Sequence, residues 1–222
     1  SMTNRPAGQN GKKMESLKRL LVQPWTRPLV WLLCLLPLLW LWWQAASGAY
    51  VNPEEALVRG AGDWALRMLC LTLAVTPLRV TFSLPQLLRF RRVFGLSVFL
   101  YASVHLLLYA WLQMGFSLSE LLADVADRAF ILMGMLAYAL LLPLALTSNN
   151  AAIRRLGGAN WKALHRIIYL AAGFAIVHFL WMRGSEDGGV GVWIYALILT
   201  ALLGWRLWYW NRGSSGGSCG HH

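Results

Sequence analysis

Charge is scarce in this chain, and acidic charge scarcer still. Of its 222 residues only 13% are charged, nine of them Asp or Glu against twenty Lys or Arg. A soluble domain carries roughly a quarter charged residues, and a fold of this size has too little interior to hide side chains that are 58% hydrophobic. Cysteine is nearly absent as well. Cys34 and Cys70 sit inside apolar runs and Cys219 lies in a Gly/Ser tail, with no CxxC or Cys/His spacing. That excludes a zinc site and a disulfide framework, and leaves Cys34 and Cys70 as small packing residues. No glycine-rich phosphate loop is present, since Gly157-Gly158 reads only as a turn. The polar connections are too short for a Rossmann-like nucleotide domain. The formal charge of +11 does not point to nucleic acid, because the basic residues occupy short loops between apolar stretches. Such loops mark the cytoplasmic side of membrane proteins.

What fills the chain is apolar sequence. Six runs, at about 28–46, 62–79, 93–114, 129–147, 162–182 and 190–210, approach the roughly 20 residues needed to cross a bilayer. Backbone polar groups in hydrocarbon must be satisfied internally, so each run is predicted to be a helix. The fold class is an all-α membrane protein, a six-transmembrane helix bundle. Pro37, Pro77 and Pro143 are expected to kink or end the first, second and fourth helices. Trp40, Trp42, Trp43, Trp205, Trp208 and Trp210 suit interfacial belts. Residues 1–27 read as a polar, basic cytoplasmic segment, disordered over 1–13, with Ser1-Met2 a cloning scar and no cleavable signal peptide. Residues 28–212 form the membrane domain, and 213–222 read as a linker and tag remnant that removes His221 and His222 from consideration.

The charges orient the bundle. Arg5, Lys12, Lys13, Lys18, Arg19 and Arg27 precede the first run; Arg79, Arg89, Arg91 and Arg92 lie in the second connection. Arg154, Arg155, Lys162 and Arg166 lie in the fourth, and Arg206 and Arg212 at the end. The other three connections hold Arg59, Arg67, Arg128 and Arg183 with every acidic residue except Glu15. Both termini are therefore expected in the cytoplasm.

Three histidines remain, His105 on the third run and His165 and His178 on the fifth. Ionisable residues at membrane depth are costly and are candidate functional sites. Neutral imidazole is a good axial ligand for haem iron, and two facing helices can hold a haem in a bundle core. With a rise of about 1.5 Å per residue, His105 lies roughly 18 Å and His178 about 24 Å from the cytoplasmic side, but His165 only about 4–5 Å. His105 and His178 are predicted to share one bis-histidine haem site displaced toward the periplasm. His165 lies roughly 140° from His178 on an ideal helix, and Arg91 and Arg92 stand where its partner would be. It is an interfacial hydrogen-bonding residue, a second haem ligand, or a flavin or quinone contact. The basic cluster of Arg79, Arg91, Arg92, Arg154, Arg155 and Lys162 is a topology signal or a phosphate-binding surface for flavin mononucleotide (FMN), with Trp161 available to stack. A small transporter is a rival reading, but no midplane acid or inverted repeat is visible. A purely structural anchor would have no need of intramembrane histidines.

TPLR at 76–79, RRVFGL at 91–96, YASVHLLLY at 101–109, LALTSN at 144–149, RRLGGANWKALHRIIYL at 154–170 and HFLW at 178–181, taken in this order over roughly 28–210, resemble the MsrQ family. RGSEDGG at 183–189 departs from that pattern. The family is similar to the transmembrane part of ferric reductases and NADPH oxidases. The resemblance implies a ferric reductase-like bundle in the bacterial inner membrane that binds haem b through His105, His165 and His178. It also implies an associated FMN, for which Arg91, Arg92, Arg154 and Trp161 are candidate contacts by charge and stacking alone, not by the resemblance. Electrons would come from quinone or a cytoplasmic flavin reductase and pass to a periplasmic MsrP-type molybdopterin enzyme that repairs methionine sulfoxide. A ferric or metal reductase-type carrier is the alternative of the same class.

Overall fold

The structure, a computed structural model, describes residues 7–183 and 190–215. Arg5, Glu186, Asp187, Cys219, the terminal histidines and most of the RGSEDGG connection lie outside the described residues. Helices α1 (Ala7–Val22), α2 (Thr26–Ala46) and α3 (Pro53–Thr81) come first. A 3-10 turn (Pro85–Leu87) leads into α4 (Leu88–Leu108), which continues as a π-turn over Tyr109–Gln113. Then follow α5 (Leu118–Asp127), α6 (Ala129–Leu146), α7 (Asn150–Leu156), α8 (Gly158–His165), α9 (Ile168–Arg183) and α10 (Val190–Ser215). Among the described residues, five segments are long and apolar enough to cross a membrane: α2, α3, α4 with its flanking turns, α6, and α8–α9 together. The sixth apolar run lies on α10, where the described stretch Trp193–Tyr209 is shorter. The chain is an all-α, multi-pass membrane bundle.

Several boundaries move from their predicted positions, for local reasons. Helix α3 starts nine residues before the predicted 62, at Pro53. Asn52 accepts a hydrogen bond from the Glu55 amide at its start, proline occupies the first turn, and Glu54 and Glu55 face the helix's positive end. The segment expected to be disordered through Lys13 is helical from Ala7. Met14, Leu17 and Leu21 supply the apolar spacing of an amphipathic helix there. Ser117, which accepts from the Glu120 amide, starts the unforeseen α5. Pro37, Pro77 and Pro143 lie inside their helices without ending them. Helix α10 runs through Ser215, into the predicted linker.

Two antiparallel pairs, α3 with α4 and α6 with α9, make the most extensive contacts. Hydrophobic burial gives membrane helices no drive to associate, so close packing of small residues matters. Ala61, Ser97, Ala171 and Ala172 are accordingly almost wholly buried. Buried hydroxyls bond back along their own helices, Ser97 to the Val93 carbonyl and Thr72 to the Met68 carbonyl. Tyr101, also fully buried, donates to the Cys34 carbonyl at 2.8 Å and ties α4 to α2. Leu32, Leu36, Leu39, Trp40 and Trp43 on α2 and Leu197 on α10 face outward, as lipid requires.

Arg79, Arg89, Arg91, Arg92, Arg154 and Arg155 gather where α3 and α6 finish and α4 and α8 begin. We call this the basic end of the bundle. Glu54, Glu55, Asp63, Glu120, Asp124 and Asp127 gather where α3 and α6 begin, the acidic end.

Candidate functional site

His105 on α4 and His178 on α9 face each other, with ring centres 6.2 Å apart and planes inclined at 70°. Each ring is fixed in the same way. His105 Nδ1 lies 2.8 Å from the Val58 carbonyl of α3, and His178 Nδ1 lies 2.7 Å from the Phe130 carbonyl of α6. A carbonyl can only accept, so both Nδ1 atoms carry the proton and both Nε2 atoms keep a lone pair. One helical turn beyond each carbonyl sits a glycine. A Cβ on Gly62 would meet the His105 ring at 3.1 Å, and one on Gly134 the His178 ring at 3.0 Å. The two helix pairs thus repeat one device: a carbonyl, then a glycine four residues on, cradling a histidine from the antiparallel partner.

The cavity around the pair measures about 260 Å³. Its inner wall is apolar, including Leu66, Leu69, Val98, Ala137, Leu141 and Ala171, while Arg59, Arg128 and Arg183 stand toward the acidic end. The arrangement fits haem. Two metal–imidazole bonds of about 2 Å, with the reach to each ring centre added, put ring centres about 6 Å apart. Orienting a ligand histidine through its second nitrogen is the usual supporting arrangement. Gly134→Val, which leaves His178 itself unchanged, must push its ring out of place. It is expected to remove more than half of the low-spin haem signal, read from the haem content and visible spectrum of the purified variant.

A second cavity, of about 310 Å³, lies toward the basic end. It is lined by the predicted residues Arg91, Arg92, Trp161 and His165, and also by Arg27 and Arg89, whose sequence signal is charge topology alone. His165 Nδ1 lies 3.1 Å from the Trp161 carbonyl, and the two rings stack with centres 3.9 Å apart. Trp161 also donates from its indole nitrogen to the Thr147 carbonyl at 2.9 Å. His165 Nε2 is buried with no hydrogen-bond partner, leaving an unused nitrogen beside the arginines. Arg92 donates to the Asn150 side chain at 3.1 Å, and Arg89 to the Leu21 carbonyl at 2.7 Å. Arg154 is exposed on α7 and does not line this cavity.

The fifth apolar run is not one ideal helix, so the angle of roughly 140° between His165 and His178 does not apply. Arg166, Ile167 and Tyr169 donate to carbonyls three residues back, a tightened turn that separates α8 from α9. Leu141 lines both cavities and stands between them. The glycine cradles and Leu141 escaped the sequence reading; an isolated glycine within an apolar helical run was the available signal.

Comparison with known proteins places these elements. Residues 61–176, taking in His105 and His165, match the family described as ferric reductase like transmembrane component. The chain is similar to the protein-methionine-sulfoxide reductase heme-binding subunit MsrQ of Polaromonas naphthalenivorans, at 47% identity over 90% of this chain and 92% of that protein. The proteins of the same name from Ralstonia nicotianae and Caulobacter vibrioides are 41% and 40% identical. They cover 85% and 84% of this chain, which in turn covers 88% and 89% of theirs. No solved structure matches the chain.

Proposed function

The chain belongs to the MsrQ family of ferric reductase-like transmembrane proteins, and on that premise we propose that it is a haem b electron-transfer subunit carrying electrons across the bacterial inner membrane. The observation that carries this reading is the His105–His178 pair: two imidazoles 6.2 Å apart at their centres, each with Nδ1 held by a backbone carbonyl and Nε2 left free to bind. Bound there, haem supplies a one-electron iron couple. The chain itself breaks no substrate bond. Its residues bind and orient: the Val58 and Phe130 carbonyls fix the rings, Gly62 and Gly134 make room for them, and the apolar wall excludes water.

The charge distribution supports a cytoplasmic location for the basic end and both termini. The second cavity is then the entry site for electrons from quinol or a cytoplasmic flavin reductase. His165, Arg91 and Arg92 offer an imidazole nitrogen and paired cationic forks. That set suits an FMN phosphate, or the iron and carboxylates of a second haem. The relatives' names speak of a methionine sulfoxide reductase system. From that we infer that the acceptor at the acidic end is a periplasmic MsrP-type molybdopterin enzyme repairing oxidised methionine in proteins.

Anaerobic membranes containing the chain test the relay. A quinol is expected to bring up a reduced b-type band, and the molybdoenzyme with methionine sulfoxide to bleach it. A band that stays reduced contradicts the assigned acceptor; no b-type band at all contradicts the haem reading.

A further inference from the structure

The acidic end of the His105–His178 cavity carries three arginines from three separate parts of the bundle. Arg59 is on α3, Arg128 immediately precedes α6, and Arg183 closes α9. Each is held from one side by a carboxylate. Arg59 pairs with Glu55, Arg128 Nε with Asp124 at 2.9 Å, and an Arg183 terminal nitrogen with Asp63 at 2.9 Å. A guanidinium has five N–H donors in a fixed fork, so the single-nitrogen contacts of Arg128 and Arg183 leave donors for a ligand. Glu55 and Asp63 share that rim and position the arginines, while Leu66, Leu69, Val98, Ala137, Leu141 and Ala171 make the depth of the cavity apolar.

A cavity that is apolar in its depth and offers guanidinium donors along one edge selects a ligand of matching character. It must be flat and greasy, with carboxylates on one side only. We propose that Arg59, Arg128 and Arg183 form a carboxylate clamp that recognises the two propionates of the porphyrin and turns that edge toward the acidic end. The inference rests on the haem reading of the histidine pair and deepens it: the histidines hold the metal, and the arginines set which way the macrocycle faces. They are positioning residues, since they act on the ligand's periphery and not on the iron.

The test uses the full chain in detergent, depleted of haem and titrated with protohaem or its dimethyl ester, which lacks the propionate charges. The signal followed is the low-spin component that His105→Ala removes. The unsubstituted chain is expected to bind the diester at least about tenfold more weakly than protohaem, because each lost contact is a charge-assisted hydrogen bond. Arg128→Gln is expected to cost about tenfold in protohaem affinity and little in diester affinity. Arg128→Lys, which keeps the charge but loses the fork, should fall between. The Arg128 side chain is more than half exposed, so its replacement carries little risk to folding. Arg59→Gln provides the same comparison from α3. Equal affinity of the unsubstituted chain for both porphyrins overturns the clamp alone, and so does equal weakening of both in the arginine variants. Absence of any His105-dependent component with either porphyrin overturns the haem reading and the clamp with it.

Discussion

Replacing His105 or His178 with alanine is expected to abolish most haem binding at the cavity near the acidic end. The two rings have one geometry between them, so removing either leaves the other as a single ligand in an apolar space. Loss of even a supporting partner of a metal-bound histidine costs 10–100-fold in affinity, by the usual order of magnitude. Loss of the ligand itself should cost no less. Purified variants should show less than about a tenth of the unsubstituted chain's low-spin component. Full stoichiometry with an unchanged bis-histidine spectrum in either variant would refute the pairing. Cys34→Ala and Cys70→Ala are the controls. Cys34 is buried and meets Tyr101 through its backbone carbonyl, and neither thiol lines the cavity, so the spectrum should be unaltered.

The second large effect is expected at His165. Its ring is stacked on Trp161 and its Nε2 is buried without a partner beside Arg91 and Arg92. A buried nitrogen with no partner costs about 1–3 kcal/mol, and a ligand in the cavity would remove that cost. His165→Ala should leave the His105–His178 component largely intact, because Leu141 stands between the two cavities. It should slow reduction of that component by the donor at the basic end by at least about tenfold, as expected for loss of a first contact to a cofactor. Flavin content falling in this variant, and in Arg91→Gln or Arg92→Gln, identifies an FMN phosphate. Half the haem disappearing with flavin unchanged identifies a second haem instead. Normal haem, normal flavin and normal reduction would reduce His165 to an interfacial hydrogen-bonding residue.

Much of the fold was legible because apolar runs of bilayer length leave few alternatives. The helix starts were less so, since they depend on single capping residues. Asn52 and Ser117 carry that information, and a hydropathy pattern passes over both. The pairing of His105 with His178 could be anticipated because helix rise converts sequence position into depth. Rise says nothing about azimuth, and the tightened turn at Arg166–Tyr169 shifts azimuth within one apolar run. The groups that hold the two rings are backbone carbonyls of Val58 and Phe130, which no residue-type pattern can mark. Gly62 and Gly134 were visible as letters, but their purpose is defined only by what sits across from them. Arg154 shows the converse limit. It clusters in sequence with cavity residues yet is exposed on α7 and does not line the second cavity.

Near-infrared magnetic circular dichroism of the purified, oxidised chain tests the central claim most directly, because it reports the axial ligands of haem iron. A low-spin bis-imidazole signature that Gly134→Val weakens, without any histidine being changed, is the result predicted here. A high-spin iron, a histidine–methionine signature, or a bis-imidazole signal indifferent to Gly134→Val would contradict a haem held between His105 and His178.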